Sequence, residues 1–359
     1  MTALAATRPT VDLADTPVVT IDLDRMERNI QRLQAYCDAH GIANRPHIKT
    51  HKIPAIAHRQ LAAGARGITC QKLGEAQVML DAGITDIFLT FNVLGEAKLA
   101  RLRALASRPG VRLSVACDNL PVAQALSGAF ADAAEPLAVL VECDTGMGRN
   151  GVQTPADAVA LAQAIARLPG LRFAGIMTYP IMPDTRAFFE ATLAMLERTG
   201  LPAAVVSTGG TPVYRQAHEV PGVTEHRAGT YVFNDRATVA AGAATWDDCA
   251  MRIRTTVVSR PTPTRAILDA GSKTLSSDLL TLQGYGHIVE YPDAVIVRLS
   301  EEHGHVDLSA CARKPEIGEI VTVIPNHTCV VTSLHAQLVG VRDGRVEVVW
   351  DVAARGLVR

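Results

Sequence analysis

Aromatic side chains make up only 4% of this 359-residue chain, and neither sign of charge is in excess, the net charge being −1. A near-neutral chain offers no electrostatic case for nucleic acid or for a membrane surface. Long hydrophobic runs are missing too. No stretch reaches eighteen uninterrupted apolar residues, so no transmembrane helix is expected. The opening residues, MTALAATRPTVDLADTP, have no apolar core of the kind a signal peptide needs and read as a tail leading to a first strand. Cysteines number seven, an odd count. Six of them (Cys37, Cys70, Cys117, Cys143, Cys249 and Cys311) sit mostly in apolar runs, as inert buried thiols do. Disulfide scaffolding is therefore not expected, and a reducing cytoplasm suits the chain. What is present is ordinary for a globular protein, with 48% apolar and 20% charged residues and abundant Ala and Val. The length suffices for one large domain and a smaller one.

Along the chain a short apolar run repeatedly ends in polar residues and gives way to an Ala/Leu-rich amphipathic segment. Residues 18–21 read as a strand, and a helix is expected from Leu23 to His40. Eight further strands are expected at Pro46–Lys49, Gly67–Lys72, Asp86–Asn92, Arg112–Asp118, Leu137–Asp144, Phe173–Tyr179, Ala204–Gly210 and Glu225–Phe233. Helices are expected between them at Ile53–Arg66, Leu73–Ala82, Leu94–Ala106, Leu120–Phe130, Pro155–Arg167 and Arg186–Thr199. Eight βα units in this span predict a (β/α)8 TIM-like barrel over residues 22–244, with a doubly wound open sheet as the other arrangement of the same units. Beyond residue 245 long helices disappear. Val/Ile/Thr runs between Gly, Pro and Asp turns predict an all-β domain over 245–359, joined by the N-terminal strand 15–21. Asp343-Gly344 between two apolar runs marks a hairpin.

In a barrel, catalytic side chains collect at the C-terminal ends of the strands. Four stretches there carry chemistry. Arg45 to Lys52 reads as a buried strand opening onto cations and hydroxyls. If extended, it puts His47, Lys49 and His51 on one face. A solvated basic loop is the plain alternative. Asp144 to Gly151 holds three glycines that would aim Arg149, or would simply be flexible. Ser207-Thr208-Gly209-Gly210-Thr211-Pro212, ahead of a short helix, reads as a phosphate cradle, because glycine N–H groups can close on an anion at a helix start. Arg227-Ala228-Gly229-Thr230-Tyr231 follows it by one strand, where barrels often complete such a site. An ordinary glycine turn is the alternative. In the β domain, His327 and Cys329 at i and i+2 would face one side of a strand. Imidazole plus thiolate suits Zn²⁺ or another divalent ion, with water or substrate filling the open positions.

The order of these motifs resembles the fold-type III pyridoxal-phosphate enzymes, the alanine racemase fold. Within that group RPHIKTHK, QKLGEA, RAGTYVFND, DAGSK (Asp269–Lys273), SEEHG (Ser300–Gly304) and PNHTC are together similar to the D-threonine aldolase and D-serine dehydratase family. The resemblance runs from about residue 15 to the C-terminus. It implies that Lys49 forms the Schiff base with pyridoxal 5'-phosphate. It also implies that Ser207, Thr208, Gly209, Gly210, Thr211, Gly229 and Thr230 hold the phosphate. Arg149 would lie near the phenolic oxygen and Arg227 opposite the pyridine nitrogen, with Tyr179 and Tyr231 beside the cofactor. His327 and Cys329 would hold a divalent metal (Zn, Mn or Mg). A homodimer with shared active sites is implied as well.

Two stretches depart from the family pattern. Tyr179-Pro180-Ile181-Met182-Pro183 stands where the family has a glycine and then a histidine that could serve as base. Val330-Val331-Thr332-Ser333 stands in place of a Pro-Thr-Val-Asn continuation. His47, His51, His303 and His335 are the available substitutes. The resemblance points to cleavage of a D-3-hydroxy amino acid to glycine and an aldehyde, with dehydration to a 2-oxo acid and ammonia as the alternative. Racemisation without a metal and a non-catalytic cofactor-carrying protein are the further alternatives.

Overall fold

A computed structural model describes residues 12–359, and the start of the expected tail lies outside the described residues. The chain divides into two compact units. One comprises Gln31–Gly229 with Gly356–Arg359, the other the chain up to Ile30 with Thr230–Arg355. The strand β1 (Val18–Asp22) runs directly into α1 (Leu23–Ala39). The larger unit then alternates β2 (Ala43–Asn44), α2 (Pro54–Ala62), β3 (Ile68–Cys70), α3 (Leu73–Asp81), β4 (Asp86–Leu89), α4 (Glu96–Ala106), β5 (Arg112–Cys117), α5 (Leu120–Phe130), β6 (Leu137–Cys143), α6 (Pro155–Arg167), β7 (Leu171–Thr178), α7 (Thr185–Arg198), β8 (Val205–Gly209) and β9 (Glu225–Arg227).

The eight strands β2 to β9 pair in parallel in the order β2-β9-β8-β7-β6-β5-β4-β3. A parallel bridge from His47 to Thr69 joins the two ends, which makes the curled sheet TIM-like. Helix starts follow local chemistry. Asn119 accepts the Val122 N–H and Thr154 the Asp157 N–H, each ahead of a proline in the first turn. The helices cover one face of the sheet. Phe88, Ala116, Leu140, Ala174 and Met177 form a separate small cluster on the other face.

Three expectations need correcting. The strand placed at Pro46–Lys49 is a 3-10 turn over Ile48–Thr50, so His47, Lys49 and His51 do not alternate on one face. The cause is side-chain capping: His47 Nδ1 accepts the Lys49 N–H at 3.4 Å and His51 Nδ1 the Ile53 N–H at 3.1 Å, which turns the chain locally. The strand placed at Glu225–Phe233 ends at Arg227, and Thr230–Val232 is another 3-10 turn. The second domain is built on a mostly antiparallel sheet, as expected, but also carries short helices. It holds α8 (Arg236–Ala240), β10 (Met251–Thr262), β11 (Arg265–Leu268), α9 (Ser272–Leu275), β12 (His287–Ile288), β13 (Val295–Leu299), β14 (Gly304–Asp307), β15 (Ile320–Ile324), α10 (Thr328–Leu334), β16 (Gln337–Arg342) and β17 (Arg345–Asp351).

Its sheet runs β13-β14-β11-β10-β1-β16-β17, with β15 also on β10 and β12 on β15. Pairing is antiparallel except between β1 and β16. The Asp343-Gly344 hairpin is present, with φ of 49° and 72° at its two central residues. Among the described residues no disulfide forms, and of the seven cysteines six are buried and Cys329 is half-buried. No helix among the described residues is long and apolar enough to cross a membrane.

Barrel closure depends on one close approach. Gly175 in β7 sits at φ 150°, and a Cβ there would lie 1.8 Å from the Val205 carbonyl oxygen of β8. That oxygen belongs to the ladder and cannot swing away as a side chain would. Gly175→Ala is expected to cost about 3 kcal/mol or more, read as a lower midpoint in urea or thermal melts. A variant as stable as the parent would show that β7 and β8 can separate without penalty.

Candidate active site

Lys49 stands on the 3-10 turn after β2, half-buried, with its amine 5.3 Å from the centre of the Tyr179 ring. The turn is held from several sides. His47 Nε2 lies 3.2 Å from Gln71 Oε1, and Gln71 Nε2 donates to the Thr90 carbonyl at 2.9 Å. Lys52 Nζ donates to Glu75 Oε1 at 2.9 Å, and Glu75 Oε2 accepts the Gln71 N–H at 2.7 Å. The motifs KTHK and QKLGEA are therefore two halves of one clamp. His47 and His51 use both ring nitrogens within it, His51 Nε2 lying 3.2 Å from Gln60 Oε1. Burial, helped by Lys49, holds His47 well below the usual imidazole range, and burial brings His51 down to about 4. Both are neutral, fully engaged rings.

Arg149 reaches the same aromatic ring from the loop after β6, with its guanidinium carbon 5.2 Å from the Tyr179 centre. The loop is not floppy: Asp144 accepts the N–H groups of Gly146, Met147 and Gly148 at 2.8–3.1 Å. Arg149 Nη2 lies 3.6 Å from Glu142 Oε1, and Asn150 Nδ2 donates to Glu142 Oε2 at 2.7 Å. Burial raises the Glu142 carboxyl to about 7 against the pull of Arg149 and Arg227. Arg227 is 3% exposed, donates through Nη2 to the Thr178 carbonyl at 2.9 Å, and is brought down to about 10 by burial against the anions Glu225 and Glu142.

Lys49, Arg149, Tyr179 and Arg227 line one small cavity with Glu142 and Gln71 at the C-terminal ends of the strands. A larger cavity of about 700 Å³ opens at the N-terminal ends, and none of the predicted residues line it. The small cavity is the place where barrel chemistry is expected.

The glycine stretch divides in two. Gly209, Gly210 and Thr211 form a turn into a 3-10 helix over Thr211–Glu219, with Gly210 at its N-cap and φ 112°. A Cβ at Gly209 would stand 3.1 Å from the Tyr179 ring, and one at Gly210 3.0 Å from Val213. The Ser207 and Thr208 hydroxyls are committed elsewhere. Ser207 Oγ donates to Glu225 at 2.7 Å, and Thr208 Oγ1 pairs with His226 Nδ1 at 2.9 Å. His226 Nε2 in turn lies 3.2 Å from the Gly210 carbonyl and braces the turn. At Gly229 a Cβ would meet Thr50 Oγ1 at 2.8 Å. A lysine amine, two arginines and a side-chain-free turn at a helix start fit pyridoxal 5'-phosphate, which brings an aldehyde, a polar ring and a dianion.

In the smaller unit, His327 and Cys329 do not lie on a strand. His327 is the N-cap of α10 and Cys329 is in its first turn. Asp235 causes this: its carboxylate accepts the Thr328 N–H at 3.1 Å and also lies 3.2 Å from His327 Nδ1. The two side chains are nonetheless neighbours. Burial opposes the imidazolium, but Cys329 and Asp235 outweigh it and push His327 up to about 11. A histidine whose Nδ1 is held by a buried carboxylate presents Nε2 outward, the usual support of a metal-binding imidazole. Among the described residues no group of three or more metal-capable side chains occurs, so the pair fits a divalent ion only with other ligands from outside. Asp235 was not singled out from sequence, although it closes the RAGTYVFND motif. Thr230 Oγ1 is 3.9 Å from Cys329 Sγ, and Tyr231 is buried beside it in sequence.

Two domain families match. Residues 21–237 match the alanine racemase N-terminal domain, and residues 250–341 a serine dehydratase domain. The chain belongs to the alanine racemase N-terminal-domain family. Its relatives in that family include a D-threonine aldolase of Arthrobacter, 37% identical over 96% of this chain and 94% of the relative. A D-threo-3-hydroxyaspartate dehydratase of Delftia is 35% identical over 88% of this chain and 91% of the relative. Among solved structures, the D-threonine aldolase of Filomicrobium marinum superposes with a TM-score of 0.88, at 34% identity, covering 99% of this chain and all of that one. A variant of the dehydratase has been solved in a metal-free form, with a TM-score of 0.84 at 32% identity, covering 95% of this chain and 99% of that one. The fold common to the alanine racemase family thus extends over both units of this chain.

The Glu142 carboxyl gives a test independent of any ligand. Its value in the folded protein lies above the ordinary 4.5. The folded state therefore holds an extra proton between pH 4.5 and about 7, and stability from this group falls as pH rises through that window. Glu142→Gln removes the effect. The stability difference between variant and parent should move in the variant's favour from pH 4.5 to pH 8, on the order of 3 kcal/mol, in urea melts. A pH-independent difference would show that Glu142 titrates normally.

Proposed function

We propose that this chain is a pyridoxal-phosphate- and divalent-metal-dependent lyase that cleaves D-3-hydroxy amino acids to glycine and an aldehyde. The observation that carries the reading is the convergence of Lys49, Arg149 and Arg227 on one cavity at the strand ends, in a family whose relatives carry aldolase and dehydratase names. Lys49 would attach the cofactor, and Tyr179 would flank it. Arg149 would meet its phenolic oxygen and Arg227 its ring nitrogen, while Gly209, Gly210, Thr211, Gly229 and Thr230 would hold its phosphate, with Tyr231 nearby. When bound, the cofactor supplies the electron sink for the pair left at the substrate α-carbon. A guanidinium at the ring nitrogen discourages protonation there and so weakens that sink. His327 and Cys329 would hold a divalent ion whose Lewis acidity at the 3-hydroxyl compensates.

Dehydration is the second reading, favoured by the Delftia relative. It would use the same groups but take the α-proton and expel the 3-hydroxyl, where cleavage takes the hydroxyl proton and breaks the Cα–Cβ bond. His47 and His51 are spent on the clamp and serve neither route as base. Of the other two candidates, His335 Nε2 lies 3.2 Å from the Thr274 carbonyl, and His303 is exposed. The reading also makes the protein a cytoplasmic homodimer with shared active sites. The lack of a disulfide among the described residues suits a reducing compartment.

Purified protein loaded with cofactor should show a visible absorption band that Lys49→Ala abolishes together with turnover. Incubated with D-threonine or D-phenylserine, the wild type should release glycine, and EDTA should stop it. Ammonia in place of glycine would establish the dehydratase, and turnover insensitive to EDTA would remove the metal from the reaction. Asp235→Asn should weaken metal affinity by about 10- to 100-fold while leaving the visible band unchanged, measured by metal titration of the stripped protein.

A further inference from the structure

A chain of buried charge crosses the interior of the barrel unit and ends on Arg227. Asp86, the first residue of β4, accepts from Arg45 Nη1 at 2.6 Å. Arg45 Nε donates to Glu225 Oε2 at 2.8 Å. Ser207 Oγ donates to Glu225 Oε1 at 2.7 Å, and Arg227 Nη1 donates to that same Ser207 oxygen. Arg45, Glu225, Ser207 and Arg227 are 7%, 2%, 0% and 3% exposed, while Asp86 at the N-terminal end is partly exposed. Strand register produces the arrangement. Ser207 lies opposite Glu225 in the β8–β9 pairing, and Glu225 and Arg227 are two apart on β9 and face the same side.

The direction of each bond is fixed by chemistry. A guanidinium only donates and an ionised carboxylate only accepts. The Ser207 hydroxyl has one proton, which points at Glu225, and its lone pairs face Arg227. It has no donor left for a phosphate. Two nitrogens of Arg227 are thus held, one by Ser207 and one by the Thr178 carbonyl.

We propose that Glu225, acting through the Ser207 hydroxyl, is a positioning residue that fixes the Arg227 guanidinium against the cofactor ring. The inference rests on the reading of pyridoxal phosphate at Lys49 given above. It moves Ser207 from the phosphate end of the cofactor to its ring end, and it gives Arg45 the task of holding the far side of Glu225.

Glu225→Gln keeps the shape and removes the charge, while Ser207→Ala removes only the bridging hydroxyl and is the variant least able to disturb folding. Each is loaded with pyridoxal phosphate and, separately, with pyridoxal, which lacks the phosphate, and the visible spectrum and the dissociation constant are recorded. Both variants should shift the visible absorption maximum and weaken cofactor binding about tenfold, the loss expected for one charge-assisted hydrogen bond. The shift should persist with pyridoxal, and the double variant should be no worse than the single ones, because the two residues act as one unit. Spectra that superpose on the wild type would overturn the proposal. So would an effect seen with pyridoxal phosphate and absent with pyridoxal, which would return Ser207 to the phosphate. A wild-type protein that takes up neither compound would remove the cofactor reading itself, an outcome distinct from unchanged variants in a coloured protein.

Discussion

Arg45 is the residue on which the barrel unit depends. It follows the first barrel strand, and its guanidinium ties Asp86 at the start of β4 to Glu225 at the start of β9. Burying a guanidinium is costly unless its donors are met by anions of good geometry. Here burial lowers Arg45, but Glu225 and Asp86 more than restore it, and the net direction is upward. Removing both carboxylates would leave a buried charge unpaired, a loss of about 3–5 kcal/mol in comparable cases. The sequence makes room for the group at Gly67, where a Cβ would stand 2.6 Å from Arg45 Nη1 and 2.7 Å from the Asp86 carbonyl oxygen. A glycine at that point has nothing to do with turns; it is there so that a side chain can pass.

The same ion pair connects architecture to chemistry. Glu225 shares its two oxygens between Arg45 and Ser207, so the closure of the barrel and the orientation of Arg227 are one structural problem. Around the small cavity the cations Lys49, Arg149 and Arg227 face a single buried carboxyl, Glu142, which burial brings close to neutrality at neutral pH. Such a site is short of negative charge. An anionic cofactor and a substrate carboxylate are the chemical classes that correct the shortage.

Much of this was legible in the sequence. The alternation of apolar runs and amphipathic segments marked the barrel helices to within a few residues, because periodicity over ten or more positions averages out local accidents. The strand ends pointed to Lys49, Arg149, Tyr179 and Arg227, and the structure brings these four together. Periodicity failed where a side chain replaces a backbone partner. His47 and His51 cap their own turn, so an apparent period of two in His-Ile-Lys-Thr-His is a 3-10 turn. Asp235 draws Thr328 into a helix start, so His327-Thr328-Cys329 is not a strand. Both errors have one origin: a residue 92 positions away, or a ring nitrogen two positions back, sets the backbone, and neither leaves a pattern in a short window. In β14, Gly304-His305-Val306-Asp307 has too few apolar residues to announce a strand, and its pairing with β11 and β13 makes it one.

These local devices also narrow the chemistry. Cleavage takes the 3-hydroxyl proton and breaks the Cα–Cβ bond, dehydration takes the α-proton and breaks the Cβ–O bond, and a histidine on the lysine-bearing tip would have been the natural place to look for either base. His47 and His51 are neutral, buried and engaged at both nitrogens, so moving a proton through either would break the turn that places Lys49. The two histidines of the tip therefore hold the turn that carries Lys49. His327 has the opposite environment: its Nδ1 lies 3.2 Å from the buried Asp235 carboxylate, and Asp235 with Cys329 outweighs burial and raises it to about 11. Histidines with the same intrinsic chemistry are thus set apart by the number and charge of their partners: neutral amide and backbone partners keep the clamp rings neutral, and a buried carboxylate raises His327.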